Sequence, residues 1–414
     1  MTVSDYEQVE AGQLARLRIL LDALIPNNQF YTPILRAAGV TPQIQSLVEF
    51  QQRMPLTTKQ QIIEDHLAHP PYGTNLTCRI KDYSRYSQTS GSTAQPVRWL
   101  DTDASWKWMI DIWQTVFDSA GVTSDDRVMF AFSFGPFIGF WLAFEAAVAR
   151  GCLCLPGGGL SSAARLQIMR DNRVTVLCCT PTYALHLGQQ AGADAADVRL
   201  IIVAGEPGGS IAAVRGCIEA NWPGARVFDH HGMTEVGPVS HEDPDRSGAL
   251  RIVTAAFIAE VIDPVTGMPI GPGGIGELVL TNLGRTGSPL LRYRTGDMVR
   301  RTDAPEVVLD GGIIGRVDDM ITIRGVNVFP SVIDEIVRSC PGVMEYQVHV
   351  CTREAMKQMS LLVELKNSSV DRGLVIRTLD TAFRSVLALR IPVRVVEPGS
   401  LPRFELKAKR WVSS

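Results

Sequence analysis

The sequence has no Cys-x-x-Cys pair, no His-x3-His and no His-Glu-x-x-His. Paired thiols and imidazoles at such spacings are what protein zinc sites use. Its eight cysteines (Cys78, Cys152, Cys154, Cys178, Cys179, Cys217, Cys340 and Cys351) lie mostly in apolar, strand-like runs such as Val176-Leu177-Cys178-Cys179. They read as buried thiols of a cytoplasmic protein, not as a disulfide framework. Basic charge is not in excess. The net charge is −3, which offers nucleic acid or an anionic membrane no overall field to follow. The first residues, Met1-Thr2-Val3-Ser4-Asp5, lack the basic-then-apolar pattern of a secretory signal. Long apolar runs are scarce too. The best, Val128 to Phe144, is near the lower length limit for a membrane span. Gly135-Pro136 and Gly139 interrupt it, and Arg127 and Glu145 flank it. A buried strand over 128–134, a turn and a core helix from about Phe137 account for it better.

The chain has 414 residues, 45% of them hydrophobic, with 36 Gly and 24 Pro. That is too long for one core and suits two or three domains. Residues 1–70 are helix-rich, with Leu14, Leu17, Ile19, Leu20, Leu21 and Leu24 on one stripe and Thr57-Thr58 capping a helix that starts at Lys59. Between 102 and 120, Trp106, Met109, Trp113, Val116 and Phe117 form a stripe explained by core packing. Apolar strands near 152–155, 174–179 and 200–203 then alternate with helices near 163–171 and 183–190. This pattern predicts a buried, mostly parallel sheet, with functional loops at the strands' C-terminal ends.

Several stretches carry polar chemistry. Ser87 to Thr93 holds five hydroxyls and a glycine. Such a loop offers N–H and O–H donors to an anion, although no Gly-Lys-[Ser/Thr] follows as in a Walker loop. His230-His231-Gly232-Met233-Thr234-Glu235 ends a strand with a hydroxyl beside a carboxylate, a pair able to meet a Mg2+–phosphate. Residues 250–300 read as antiparallel hairpins ending in Tyr293-Arg294-Thr295-Gly296-Asp297, whose carboxylate can accept two ribose hydroxyls. Gly315-Arg316-Val317-Asp318-Asp319-Met320 runs into a strand over 321–323. Arg324-Gly325 breaks that strand, and Pro330-Ser331 opens a helix, with Ser331 and Asp334 as a weak capping box. An α+β unit of about 95 residues follows. Any of these stretches alone suits an ordinary surface loop.

Their order does not. The chain resembles the adenylate-forming superfamily of acyl-CoA synthetases, adenylation domains and luciferases, and within it the phenylacetate–CoA ligase branch. The resemblance rests on Tyr293–Asp297, Gly315–Met320, Arg324–Ser331 and Leu401-Pro402-Arg403 before Lys407. It implies an α/β fold: a large N-terminal domain over 1–317, with mostly parallel sheets plus a small β subdomain, and a small mobile α+β lid over 318–414. The hinge would lie near Asp318. The implied activity is ATP-dependent conversion of a carboxylic acid to an acyl-adenylate, then transfer to CoA, with ATP, Mg2+ and CoA required. Ser90, Gly91, Ser92 and Thr93 would cradle phosphates, and Glu235 with Thr234 would meet Mg2+. Gly205, Glu206, Pro207, His231, Gly232 and Met233 would line the nucleotide. Asp297 and Arg316 would hold ribose and phosphate, and Lys407 would bridge carboxylate and α-phosphate. Arg324 and Gly325 would meet CoA.

Three departures stand out. The phosphate loop continues Ala94-Gln95-Pro96 where relatives have Gly-Lys-Pro, so a cation is missing. Leu406 replaces the glycine usual before the lysine. The paired cysteines of zinc-bearing relatives are absent near 300–312, so no zinc is expected. The acid would lie among Phe134, Phe137, Ala204, His230, Gly232 and Met233, a flat apolar slot suited to an aryl acid of the phenylacetate, anthranilate or hydroxybenzoate kind. The alternatives are an aryl adenylate passed to a carrier protein, an amine or a second aryl acid, and a non-catalytic binder of nucleotide or aryl acid. Relatives point to a homodimer.

Overall fold

The computed structural model describes residues 3–89, 96–139, 141–191, 197–302, 307–323, 326–353, 356–404 and 408–413. Five short strands form the parallel part of the large domain. In space their order is Leu153–Pro156, Arg127–Phe130, Val176–Cys179, Leu200–Val203 and Arg226–Met233. Val176–Cys179 and Leu200–Val203 are buried along their whole length, as their unbroken apolar sequences require when both sheet faces are covered.

The two-residue period of a strand sorts these side chains between two cores. Val176, Cys178, Leu200 and Ile202 pack under the helices Asp103–Ala120 and Trp141–Arg150. Leu177, Cys179, Ile201 and Val203 face Ser162–Asp171, Pro181–Ala191 and Ala212–Asn221. The stripe Trp106, Met109, Trp113, Val116 and Phe117 is buried in the first core, as expected.

At Arg226–Met233 the sheet changes character. Gly237–Asp243 pairs with it antiparallel, and Arg246–Ile252, Val308–Arg316, Tyr293–Arg301, Ile275–Asn282 and Phe257–Ile262 continue outward. The expected β subdomain is thus continuous with the parallel strands, in one eleven-stranded sheet. The N-terminal helices cover its antiparallel end through Leu17, Leu20, Leu21, Leu24 and Phe50.

Two local expectations need correction. The strand expected over 128–134 stops at Phe130, and the helix begins at Trp141 rather than Phe137. Gly135-Pro136 breaks the run, and the carbonyl of Pro136 accepts the Gln88 N–H at 2.7 Å, so this segment crosses to another strand instead of coiling. The Ser331–Asp334 capping box does not form. Phe329 is the N-cap and Pro330 occupies the first turn. The Ser331 hydroxyl donates to the Ile314 carbonyl and Asp334 accepts from the Tyr346 hydroxyl.

The C-terminal unit has its own core, including Ile333, Val337, Tyr346, Val363, Leu379 and Phe383. Its four-stranded sheet runs Val393–Val396, Met356–Leu365, Val343–Arg353 and Trp411–Ser413. Pro330–Arg338 and Arg372–Leu387 pack on it. Among the described residues, no helix is long and apolar enough to cross a membrane.

Candidate active site

Thr234 and Glu235 occupy the turn between Arg226–Met233 and Gly237–Asp243, where the sheet switches from parallel to antiparallel. One buried arginine fixes that turn. Arg285 donates from Nη1 to the carbonyls of Thr234 and Glu235, at 2.8 Å each. Its Nε and Nη2 form a fork with Asp101, at 2.7 Å each. Both side chains are essentially inaccessible to solvent. A buried pair of this kind is justified only when every donor is used, and here the surplus donors hold the Thr-Glu turn. Asp101 lies on Arg98–Thr102, the strand that follows the Ser/Thr-rich loop. The Glu235 carboxylate also faces Lys59, with Nζ at 3.3 Å from Oε1.

A second cluster surrounds Asp297. Its Oδ1 accepts from Arg316 Nη1 at 2.9 Å, and its Oδ2 lies 3.1 Å from His231 Nε2. Its own N–H donates to the Thr295 hydroxyl at 3.0 Å. Arg316 also donates to the Thr295 carbonyl at 3.1 Å. Glycine is needed at 296: φ is +77°, and a Cβ there would lie 2.7 Å from Arg316 Nη2. Immediately after Arg316, the exposed Asp318 lies in a turn over 317–319.

The third cluster centres on His230. The imidazole is buried, its ring 4.2 Å from that of Trp113, and its Nδ1 lies 2.6 Å from the Ser240 carbonyl. A carbonyl only accepts, so Nδ1 carries the proton. Burial lowers the pKa to about 3, keeping the ring neutral. Nε2 is left as an acceptor, and a Cβ on Gly232 would stand 3.4 Å from it. Ala204 directly follows the neighbouring strand Leu200–Val203 and is buried, and Met233 is half-buried. Phe134 packs at 4.9 Å from Phe132 and 4.7 Å from Trp141. Phe137 lies nearer the surface, 37% exposed, over Gly135.

Glu206 makes a different kind of contact. Its Oε1 accepts the Thr182 N–H at 2.8 Å, at the start of helix Pro181–Ala191. Its Oε2 accepts the Ala408 N–H of the C-terminal tail at 2.9 Å. Arg410, paired with Glu345 at 2.8 Å, reaches the Thr182 hydroxyl at 3.4 Å. Glu335 of the C-terminal unit accepts the Ala213 N–H at 3.1 Å, in the first turn of helix Ala212–Asn221. Ser90, Gly91, Ser92, Thr93, Arg324, Gly325 and Lys407 lie outside the described residues.

The expected residues therefore fall into separate groups: Thr234–Glu235, Asp297–Arg316–His231, the surroundings of His230, and Glu206 at the tail. Sequence reasoning missed Lys59, Arg285, Asp101 and Trp113. Trp113 was indistinguishable from its core neighbours on the same helical stripe.

Comparison with known proteins bears on this arrangement. The description "AMP-binding enzyme" matches residues 81–284, and "AMP-binding enzyme C-terminal domain" matches 325–414. Phenylacetate-coenzyme A ligase of Escherichia coli (strain K12) is 31% identical over 98% of this chain and 94% of its own length. The chain belongs to the adenylate-forming enzymes, in their phenylacetate–CoA ligase-like branch. It is an AMP-forming acid–CoA ligase that uses ATP and CoA. The Pseudomonas putida phenylacetate-coenzyme A ligase is 30% identical over 99% of this chain and 94% of its own. Among solved structures, 2-hydroxyisobutyryl-CoA ligase in its postadenylation state superposes with TM-score 0.90 at 26% identity, over 98% of this chain and 89% of that one. The same enzyme in its thioesterification state gives 0.72, over 100% and 90%. The two domains of the present ligase are thus arranged as in the postadenylation form. The contacts of Glu206, Arg410 and Glu335 across the domain boundary belong to that arrangement.

Proposed function

We propose that this ligase activates an aromatic carboxylic acid carrying an amino or hydroxyl substituent, of the anthranilate or hydroxybenzoate kind, and passes it to CoA. The observation that carries the reading is His230: a neutral imidazole held by Ser240, its ring tilted against that of Trp113 at 4.2 Å, with Nε2 left to accept from a donor on the substrate. The absence of a side chain at Gly232, where a Cβ would stand 3.4 Å from His230 Nε2, supports a flat acid there.

In the first half-reaction a carboxylate oxygen attacks the α-phosphorus of ATP, and the bond to the pyrophosphate bridging oxygen breaks. The products are acyl-AMP and pyrophosphate. Asp297, oriented by Arg316 and His231, accepts from the ribose hydroxyls. Lys407 places positive charge between the carboxylate and the α-phosphate, and Ser90–Thr93 donate to the phosphates. The donor set around Glu235, one carboxylate with a neighbouring hydroxyl, fits Mg2+, which takes few protein ligands beside substrate phosphates. When bound, the ion supplies charge neutralisation for the departing pyrophosphate. In the second half-reaction residues 319–414 turn about Asp318, and the CoA sulfur, near Arg324 and Gly325, attacks the acyl carbonyl. The thioester forms and AMP leaves.

Acid-dependent ATP–pyrophosphate exchange across benzoate, anthranilate, hydroxybenzoates, phenylacetate and aliphatic acids tests this. The substituted aryl acids should exchange fastest, and Lys407→Ala should lose exchange while still converting supplied acyl-AMP to thioester. Fast exchange with AMP release independent of CoA would favour a different acceptor. No exchange with any aryl acid would overturn the substrate reading.

A further inference from the structure

Lys59 opens helix Lys59–Ala68, directly after the capping Thr58. This is the unfavourable end for a cation, because the unpaired N–H groups already make a helix N-terminus positive. The first turn of this helix contains no acidic residue to offset it. The ammonium is instead aimed at Glu235, 3.3 Å away on a remote turn; Lys59 is 32% exposed and Glu235 10%. The residues before Lys59 are fixed beside the nucleotide cluster. The Thr57 N–H donates to the Arg292 carbonyl, and its carbonyl accepts the Arg294 N–H, at 2.9 Å each, on the chain leading to Asp297. The Thr57 hydroxyl donates to the Leu291 carbonyl at 2.7 Å. A position that is unfavourable locally yet firmly held is what a functional cation looks like.

Resting on the nucleotide reading above, we infer that Lys59 is a ligand of the ATP β- or γ-phosphate. Its ammonium serves Glu235 before nucleotide binds and the phosphate oxygens afterwards. Mg2+ held by Glu235 would place two positive charges beside the ammonium, and the flexible four-carbon stem of Lys59 would let its nitrogen reach the phosphates instead. Lys59 thereby supplies a positive charge to a chain whose phosphate loop has Gln95 in place of lysine.

Calorimetric titration of the full chain with α,β-methylene-ATP and Mg2+, and separately with AMP, tests the assignment. Lys59→Met should weaken the triphosphate analogue about 10- to 100-fold, the loss expected for one charge-assisted contact. AMP, which lacks the outer phosphates, should bind as to wild type. The melting temperature should change little, since removing a cation from a helix N-terminus offsets the loss of the part-exposed ion pair with Glu235, and Lys59→Arg should recover part of the affinity. Unchanged analogue binding by Lys59→Met, or equal weakening of AMP and analogue, would overturn the role. If wild type itself binds neither nucleotide, the underlying nucleotide reading fails with it.

Discussion

Replacing Glu335 with alanine should change the balance between the two half-reactions without touching either set of reacting groups. Helix Ala212–Asn221 begins after Ile211, which has no side chain able to cap it. Its Ala213 N–H is satisfied at 3.1 Å by Glu335, a half-buried carboxylate of the other domain. The large domain therefore borrows a helix cap from the C-terminal unit, and under the proposed turn of residues 319–414 between half-reactions it would keep that cap only in the postadenylation arrangement. A cap of this kind is worth about 1 kcal/mol. Its loss lowers the ratio of docked to rotated lid about fivefold. Pyrophosphate exchange should then fall by up to about fivefold, while thioester formation from supplied acyl-AMP stays level or rises. Rapid-quench measurement of each half-reaction on Glu335→Ala reads both. Equal losses in the two steps would refute the reasoning and make Glu335 a plain stabilising contact.

Other consequences follow from the same contacts. Arg285→Met leaves Asp101 buried and unpaired and should cost about 3–5 kcal/mol in chemical denaturation, with part recovered by adding Asp101→Leu. Arg285→Lys should fold but need more Mg2+ for half-maximal exchange, because a single ammonium cannot hold two carbonyls and a carboxylate fork. His230→Phe should lower kcat/KM for amino- or hydroxy-substituted acids about 10-fold or more while sparing the unsubstituted acid, which offers no donor to Nε2. Burial raises the Asp229 pKa from 3.8 to about 6. As pH rises from about 4 to 6, the folded chain retains a proton that the unfolded chain releases, so this group's contribution to stability is lost over that window. The melting temperature of Asp229→Asn relative to wild type should rise across that window, and a flat difference would contradict the assignment.

Much of the architecture was legible because strand burial writes itself into sequence. Val176–Cys179 and Leu200–Val203 are apolar without a break, and only a sheet covered on both faces uses such strands. The cap at Thr58 was equally plain. Ser331 and Asp334 misled, because their side chains serve Ile314 and Tyr346, contacts made between elements and invisible to local spacing. The same limit hid the supports of the site. Arg285 and Asp101 are far apart in sequence, and Glu206 meets Ala408 at a still greater separation. Lys59 did leave a local trace, a cation in a first helical turn with no acid beside it.

The most direct test of the central claim is acid-dependent formation of AMP, pyrophosphate and thioester with CoA, measured together across aryl and aliphatic acids. The account predicts one AMP and one pyrophosphate per thioester, with amino- or hydroxy-substituted aryl acids turning over fastest. Preference for long aliphatic acids, or AMP release that ignores the aryl substituent and CoA alike, would contradict it.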